Sequence, residues 1–525
     1  MGVAHVIRIV PGARPALLAI LFAWGCASTP PRPARVPGAA VCARIFSTND
    51  THGRLLPAEQ SWSEGRPVGG SAAIAGYVRE AREETPECPM FVLSGGDMMQ
   101  GTLISNLTEG ESTIRAMNAI GYDAAAIGNH EFDWGVDVLV DRIGDADFPM
   151  LGANIYLKGA ERHPDWVTPW TIIERDGVRV GVVGMTTRST PTSSRPENVA
   201  EFEFRSISDA LDRYIPELRA RGVDFVVAVM HEGAFCDQQR VCRGEAIDAL
   251  TRATERYDYA VTGHTHSPVE TEIRGVPVVQ SYSNSTAFGL GRLDRTGDGR
   301  VTARLIGVRR AYADEVVPDP EVAALVGTYQ RRTDSLVDRV ITTLAEPVPK
   351  PRHGDLVLGR LIADAQRART GTQVAMMNAG GIRRPLPAGD LTYEILFELQ
   401  PFANLLVTMS LTGERLVAAL EHGMADDGAD AQLSGIRVTY DPDRPSGSRV
   451  LHAQLIDGPS IDPAGTYTVT VNDFMATGGG GYTMFLEGTN VVETGIVDLD
   501  ALIEYLGRLP RPLDLPLDAR WLPAR

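Results

Sequence analysis

Asn129, His130, Glu131 and Asp133 crowd the octet GNHEFDWG, residues 128–135, directly after the apolar run AAAI. Each can ligate a metal or carry a proton. Four other apolar runs end in the same way. CARIFSTNDTHG ends in Asp50 and His52, MFVLSGGD in Asp97, VDFVVAVMHEG in His231, and YDYAVTGHTH in His264 and His266. Five of the ten histidines fall in these motifs. Imidazole and carboxylate suit first-row divalent metals, and the Asn129 amide oxygen can complete a shell. Two ions held this way share a water or hydroxide, activate it as a nucleophile and clamp a phosphoryl group. Singly, Asp-x-His, Gly-Asp or a His after a strand is common as a satisfied polar group. Their recurrence at five run ends is what points to metal chemistry.

Something must bring these separated segments together. From Val41 to about Ala311 short apolar runs alternate with helix-like segments, which is the pattern of an α/β layout. In an open α/β sheet, ligands gather beyond the carboxyl ends of the strands. The five motifs therefore converge if their strands are neighbours. Further on, Val322, Leu325, Val326, Tyr329, Leu336 and Val337 keep helical spacing between flanking prolines, which predicts a linker helix. A second α/β region follows from about Arg352. In it, MMNAGGIRRPLPAGDLTYEILFELQPFANLL and YTVTVNDFMATGGGGY end in glycines with polar and aromatic residues beside them. Arginine suits a phosphate, and a nucleobase fits between two aromatic rings.

At 525 residues the chain calls for two or more domains. Its 43% hydrophobic and 22% charged content is ordinary for a globular protein. The net charge of −17, from 50 basic and 67 acidic residues, repels nucleic acid and anionic lipid in bulk. An anionic substrate then needs local cations, which metal ions supply. At the N-terminus, Arg8 and Arg14 precede the apolar stretch ALLAILFAWG and then Cys26. The stretch is too short to span a bilayer and suits a signal peptide. AWGC resembles a bacterial lipobox, although Ala23 and Trp24 depart from the usual residues. Export is expected, with lipid attachment at Cys26 as the only membrane association, and the Pro-rich 27–40 reads as a tether. In an oxidising compartment the other four cysteines suggest two disulfides. Cys236 and Cys242 can close a small loop, and Cys42 and Cys88 can meet on neighbouring strands. Other pairings stay open.

The ordered set Asp-x-His, Gly-Asp, Gly-Asn-His-Glu, His and Gly-His-x-His resembles the calcineurin-like metallophosphoesterases. NHEFDWG narrows the resemblance to the 5′-nucleotidase family, over nearly the whole chain from Val41. It implies a four-layer N-terminal sandwich (41–315), a linker helix (316–345) and a C-terminal substrate-specificity domain (346–525), after a signal peptide (1–26) and tether (27–40). By the family pattern one divalent ion takes Asp50, His52, Asp97 and His266, and the other takes Asp97, Asn129, His231 and His264, with Asp97 bridging. Zn, Mn, Co and Mg are not distinguished. His130 stabilises the transition state and protonates the leaving oxygen, oriented by Asp133, while Glu131 is left a local hydrogen-bonding role. Arg352, Asn378 and Arg383 contact substrate, Phe402 and Phe474 stack on the base, and Arg384 reads as a solvated surface charge. Two positions depart from relatives: His266 stands where several have an amide residue, and Gly480 stands where Asp commonly meets the ribose hydroxyls.

The implied function is an exported, metal-dependent hydrolase that removes phosphate from nucleotides by two-metal hydroxide attack, with no nucleic-acid polymer as partner. A 2′,3′-cyclic nucleotide phosphodiesterase with 3′-nucleotidase activity, or a nucleotide-sugar hydrolase, would use the same scaffold. A non-catalytic nucleotide-binding lipoprotein is the alternative of another class.

Overall fold

The computed structural model describes residues 40–60, 62–237, 239–351, 354–426, 428–513, 515 and 518–524, without the side chains of 335 and 336. The signal-like segment, Cys26, most of the tether and Arg352 lie outside the described residues. No described helix is long and apolar enough to cross a membrane.

The N-terminal domain holds two six-stranded sheets face to face. In the first, Val41–Thr48, Met90–Ser94, Ala124–Ala126 and Met150–Leu151 run parallel, and Ala287–Arg295 and Val301–Arg310 extend one edge antiparallel. In the second, Val178–Thr186, Phe225–His231, Tyr259–Val261 and Val276–Gln280 run parallel, flanked by Trp170–Arg175 and Val269–Ile273.

The apolar runs show why the sheets pair. Alternate residues point to opposite faces of a strand. Ile45, Phe91, Leu93, Val227 and Val229 therefore fill the space between the sheets. Their neighbours Phe46, Met90 and Val92 meet the outer helices Ser71–Glu84 and Glu111–Ile120. Val226, Ala228 and Met230 meet Ile207–Ala220 and Glu245–Arg252. The result is four layers, helix–sheet–sheet–helix, with strands buried on both faces as parallel sheets require.

Cys42 and Cys88, at the start of one strand and just before its parallel neighbour, form a disulfide with 5.4 Å between Cα atoms. Cys236 and Cys242 close a six-residue separation with a second.

The helix foreseen between domains runs Pro320–Val337, and it packs Val322, Val326 and Tyr329 into the core of the first domain. It stops before the β-branched run Val340–Leu344, which pairs antiparallel with Gly389–Thr392 as a strand. The C-terminal domain is built on the five-stranded sheet Ala431–Ser434, Val374–Asn378, Thr466–Asn472, Leu405–Thr412 and Thr489–Val497, in that spatial order. Val357–Thr370 and Asp498–Leu506 share one core with Met377. Gly413–His422 shares another with Val407, Met409, Val469 and Val471.

Candidate active site

All five motifs lie at carboxyl ends of parallel strands, three on the first sheet and two on the second. Face-to-face packing of the sheets makes them one cluster. Asp50, His52 and His266 form one group of potential ligands, and Asp97, His231 and His264 form a second; within each, the ligand atoms lie within 4.8 Å of one another. His266 Nε2 is 3.0 Å from His52 Nε2 and 3.3 Å from Asp50 Oδ1. His231 Nε2 is 3.0 Å from Asp97 Oδ2, 3.1 Å from Asn129 Oδ1 and 3.2 Å from His264 Nδ1.

The backbone is bent to achieve this. Asp50, His52, Asp97, His264 and His266 all have φ between 49° and 73°, a region L-residues occupy at a cost that functional sites concentrate. Glycines permit the close approach. A Cβ at Gly128 would sit 2.2 Å from Asp97 Oδ1, and one at Gly96, whose φ is 88°, would sit 2.9 Å from the His231 ring.

Surrounding groups aim the ligand atoms. His52 and His231 donate from Nδ1 to the carbonyls of Gln100 and Gly95, at 2.8 and 2.9 Å, which directs each Nε2 toward the cluster. Asn49 donates to Asp50 Oδ2 at 2.6 Å and accepts from the Ser281 amide, and the His264 amide donates to Asp50 at 3.0 Å. Glu131 accepts from the amides of Gly128, Asp97 and Met98 at 2.7, 3.0 and 2.7 Å, and so holds the Asp97 turn. Burial, then Asp97, pushes the Glu131 carboxyl up to about 7. Its place in the motif suggested a local role, and the structure supplies the partners. Asn49 gave no sequence signal beyond adjacency to Asp50.

The charge states suit cation binding. Burial and then His266 hold His52 well below the ordinary imidazole range; burial and then His231 push His264 down to about 3. Both are neutral, as ligands must be. Burial resists ionisation of Asp97, but His231 and His130 outweigh it and hold the carboxyl well below its usual range. Burial opposes charge on His231, yet Asp97 lifts it to about 10, so this imidazole releases its proton when a cation binds. Imidazole nitrogens facing buried carboxylates and an amide oxygen fit two first-row divalent ions.

His130 stands apart from the ligand groups. Its Nδ1 lies 2.7 Å from Asp133 Oδ2, its amide donates to Asp97 Oδ1 at 2.9 Å, and its Nε2 is 4.0 Å from Asp97 Oδ2. Burial lowers its basicity, but Asp133 and then Asp97 raise it above the ordinary imidazole value. The imidazole is thereby held in one orientation.

The cluster opens into a cavity of about 890 Å³ between the domains. Asp97, Asn129, His130, His264 and His266 line one wall; Asn378, Arg383, Phe402, Phe474 and Gly480 line the other. Phe402 stacks on His130 with 5.5 Å between centroids, and Arg383 lies 5.5 Å over the Phe402 ring. Asn378 accepts from Asn472 at 3.0 Å. The structure corrects the reading of Arg384: it pairs with Glu398, only 4% exposed, which also takes Arg54 of the first domain at 2.8 Å. A run of two arginines cannot show that a buried carboxylate fourteen residues on will claim the second. Arg195 and Asn404, which line the cavity, and Asp473, which pairs with Arg195, were likewise invisible in the sequence.

Residues 43–268 match the calcineurin-like phosphoesterase family model, and residues 340–487 match that of the 5′-nucleotidase C-terminal domain. The chain is 30% identical over 517 residues to protein UshA of Yersinia enterocolitica, covering 90% of this chain and 91% of that one. It is 29% identical to endonuclease YhcR of Bacillus subtilis over 91% of this chain but 40% of the relative. The crystal structure of a 5′-nucleotidase precursor from Thermus thermophilus matches with a TM-score of 0.82 at 29% identity, over 92% of this chain and 99% of that one. With its two metal-competent ligand groups facing a cavity shared by both domains, the chain belongs to the 5′-nucleotidase family of calcineurin-like phosphoesterases.

Proposed function

We propose that the protein is an exported 5′-nucleotidase that removes phosphate from nucleotides with two divalent metal ions. The observation that carries this reading is the shared cavity, which sets a cation-binding wall opposite an arginine and two aromatic rings. One ion would be held by Asp50, His52 and His266, the other by Asn129, His231 and His264, with Asp97 common to both. When bound, the metals would supply the Lewis acidity that activates water and withdraws charge from the phosphoryl group. Arg383 orients the phosphate from the opposite wall, and Asn378 lies beside it. His130, held by Asp133, faces the leaving oxygen through Nε2 and delivers its proton there. Phe402 and Phe474 take the base between flat apolar faces. Export is supported by the signal-like N-terminus and by the two disulfides, which persist in oxidising compartments.

Phosphate release from AMP, ADP, UDP-glucose, 2′,3′-cyclic AMP and 3′-AMP, with added Mn²⁺ or Zn²⁺, tests the reading. AMP or ADP is expected to be turned over with the highest kcat/KM. Preference for the cyclic or 3′ substrates would reassign the phosphate position, and absence of turnover across the panel would leave a nucleotide-binding protein.

A further inference from the structure

The segment 187–199, TRSTPTSSRPENV, carries none of the five motifs, yet it is tied to both walls of the cavity. It leaves the second sheet at Thr186, the residue paired with His231. On the metal side, Ser194 Oγ donates to the Asn129 carbonyl at 2.6 Å, and the Asn129 side chain donates to the Ser193 carbonyl at 3.3 Å. The second bond aims Asn129 Oδ1 at His231. Asn198 adds bonds to the carbonyls of Phe132 and Asp133 at 2.8 and 3.2 Å.

On the other side Arg195 crosses to the C-terminal domain. One guanidinium nitrogen lies 3.3 Å from Asp473 Oδ2, and another donates to Asn404 Oδ1 at 3.3 Å. Asp473 immediately precedes Phe474, and its carboxylate also accepts from the amides of Phe474 and Leu405. Asn404 is 4% exposed, stands two residues after Phe402, and accepts from the Asp498 amide at 2.9 Å through its carbonyl. A single side chain thus grips the loop that carries each aromatic. A guanidinium can hold two acceptors in a fixed plane, which an ammonium does less well.

We infer that Arg195 is a positioning residue for substrate specificity. Acting through Asp473 and Asn404, it fixes Phe402 and Phe474 at a set distance from the metal wall, so the cavity is gauged to a nucleobase. This rests on the nucleotide reading above. A merely exposed ion pair would contribute almost nothing measurable, but this pair is mostly buried, with side-chain exposures of 29% and 18%.

The test uses the full chain with Mn²⁺ and the variants Arg195→Gln, Arg195→Lys, Asp473→Asn and the double Arg195→Gln/Asp473→Asn. Kinetics on AMP and on p-nitrophenyl phosphate, which has no base, are compared with adenosine binding by calorimetry. Loss of one charge-assisted contact predicts that Arg195→Gln raises KM for AMP and Kd for adenosine by about tenfold. kcat on AMP and turnover of p-nitrophenyl phosphate stay within about twofold, since the chemical step is untouched. Arg195→Lys recovers part of the loss. The double variant is no worse than the weaker single, because both changes remove one interaction. Equal losses on both substrates, unchanged adenosine binding, or multiplying effects would overturn the inference. If Arg195→Gln unfolds, Asp473→Asn must show the same split by itself. Wild-type protein that neither binds adenosine nor turns over any nucleotide would instead refute the nucleotide reading.

Discussion

Glu398→Gln removes the carboxylate between Arg54, which closes the loop Asp50–Arg54, and Arg384, which follows the cavity-lining Arg383. Glu398 is 4% exposed, and one oxygen meets each guanidinium. Burial resists its ionisation, but Arg54 and then Arg384 hold the carboxyl below its ordinary value of 4.5. Breaking a fully buried pair costs about 3–5 kcal/mol. Arg54 and Arg384 keep 17% and 28% side-chain exposure and regain some hydration, so about 2–3 kcal/mol is expected here. For domains of this size that lowers the unfolding transition by roughly 5–10 °C. Differential scanning calorimetry at pH 7 measures it directly. The folded-state pKa is depressed, so the contribution is present in full above the unfolded value and is lost as pH falls through the folded one. Wild type and variant must therefore converge as pH drops below about 4.5. A shift under about 1 °C at pH 7, or a gap that widens on acidification, would show that the triad does not hold the domains together.

Asp97→Ala is expected to lose most activity and to fall below the about two divalent ions per chain of the wild type, by elemental analysis; normal turnover at full metal content would rule out a shared carboxylate. His130→Ala should keep both ions while kcat drops by about 10²-fold or more; a fall in metal content would make it a ligand instead. Phe402→Ala and Phe474→Ala should each weaken AMP binding and leave turnover of p-nitrophenyl phosphate nearly intact; equal losses on both substrates would remove the rings from base recognition. Gly480→Asp should lower KM for AMP relative to its dideoxy analogue by up to about tenfold through one new charge-assisted bond. Its φ of 64° is one that Asp tolerates, and the new Cβ would press on Tyr482 at 3.3 Å; a stable variant with unchanged ribose preference would remove position 480 from ribose recognition.

The metal-ligand types and the strand-end placement of all five motifs were legible because both are local. An apolar run of strand length followed by polar residues and glycine needs no distant partner to be read. The Cys236–Cys242 bridge was legible for the same reason, since the two cysteines stand only six positions apart. What the sequence left open was adjacency. Convergence was expected from neighbouring strands of a sheet, but His231, His264 and His266 come from the second sheet and meet the others across the packed faces. Alternation of side chains states that a strand has two apolar faces; it does not state which faces meet.

The same limit hid the polar framework. Arg384 read as a surface charge because Glu398, fourteen residues on, reaches it only through the folding of the C-terminal domain, and Arg54 joins them only when the domains dock. Arg195 sits in an ordinary Ser- and Pro-rich stretch, nearly 280 residues before the Asp473 it meets. The chemistry of the site was thus written in short motifs, whose residue types are set by what a metal or a phosphate can accept. The distances that orient it were decided by tertiary packing, because hydrogen bonds and ion pairs act over a few ångströms and take no account of separation along the chain.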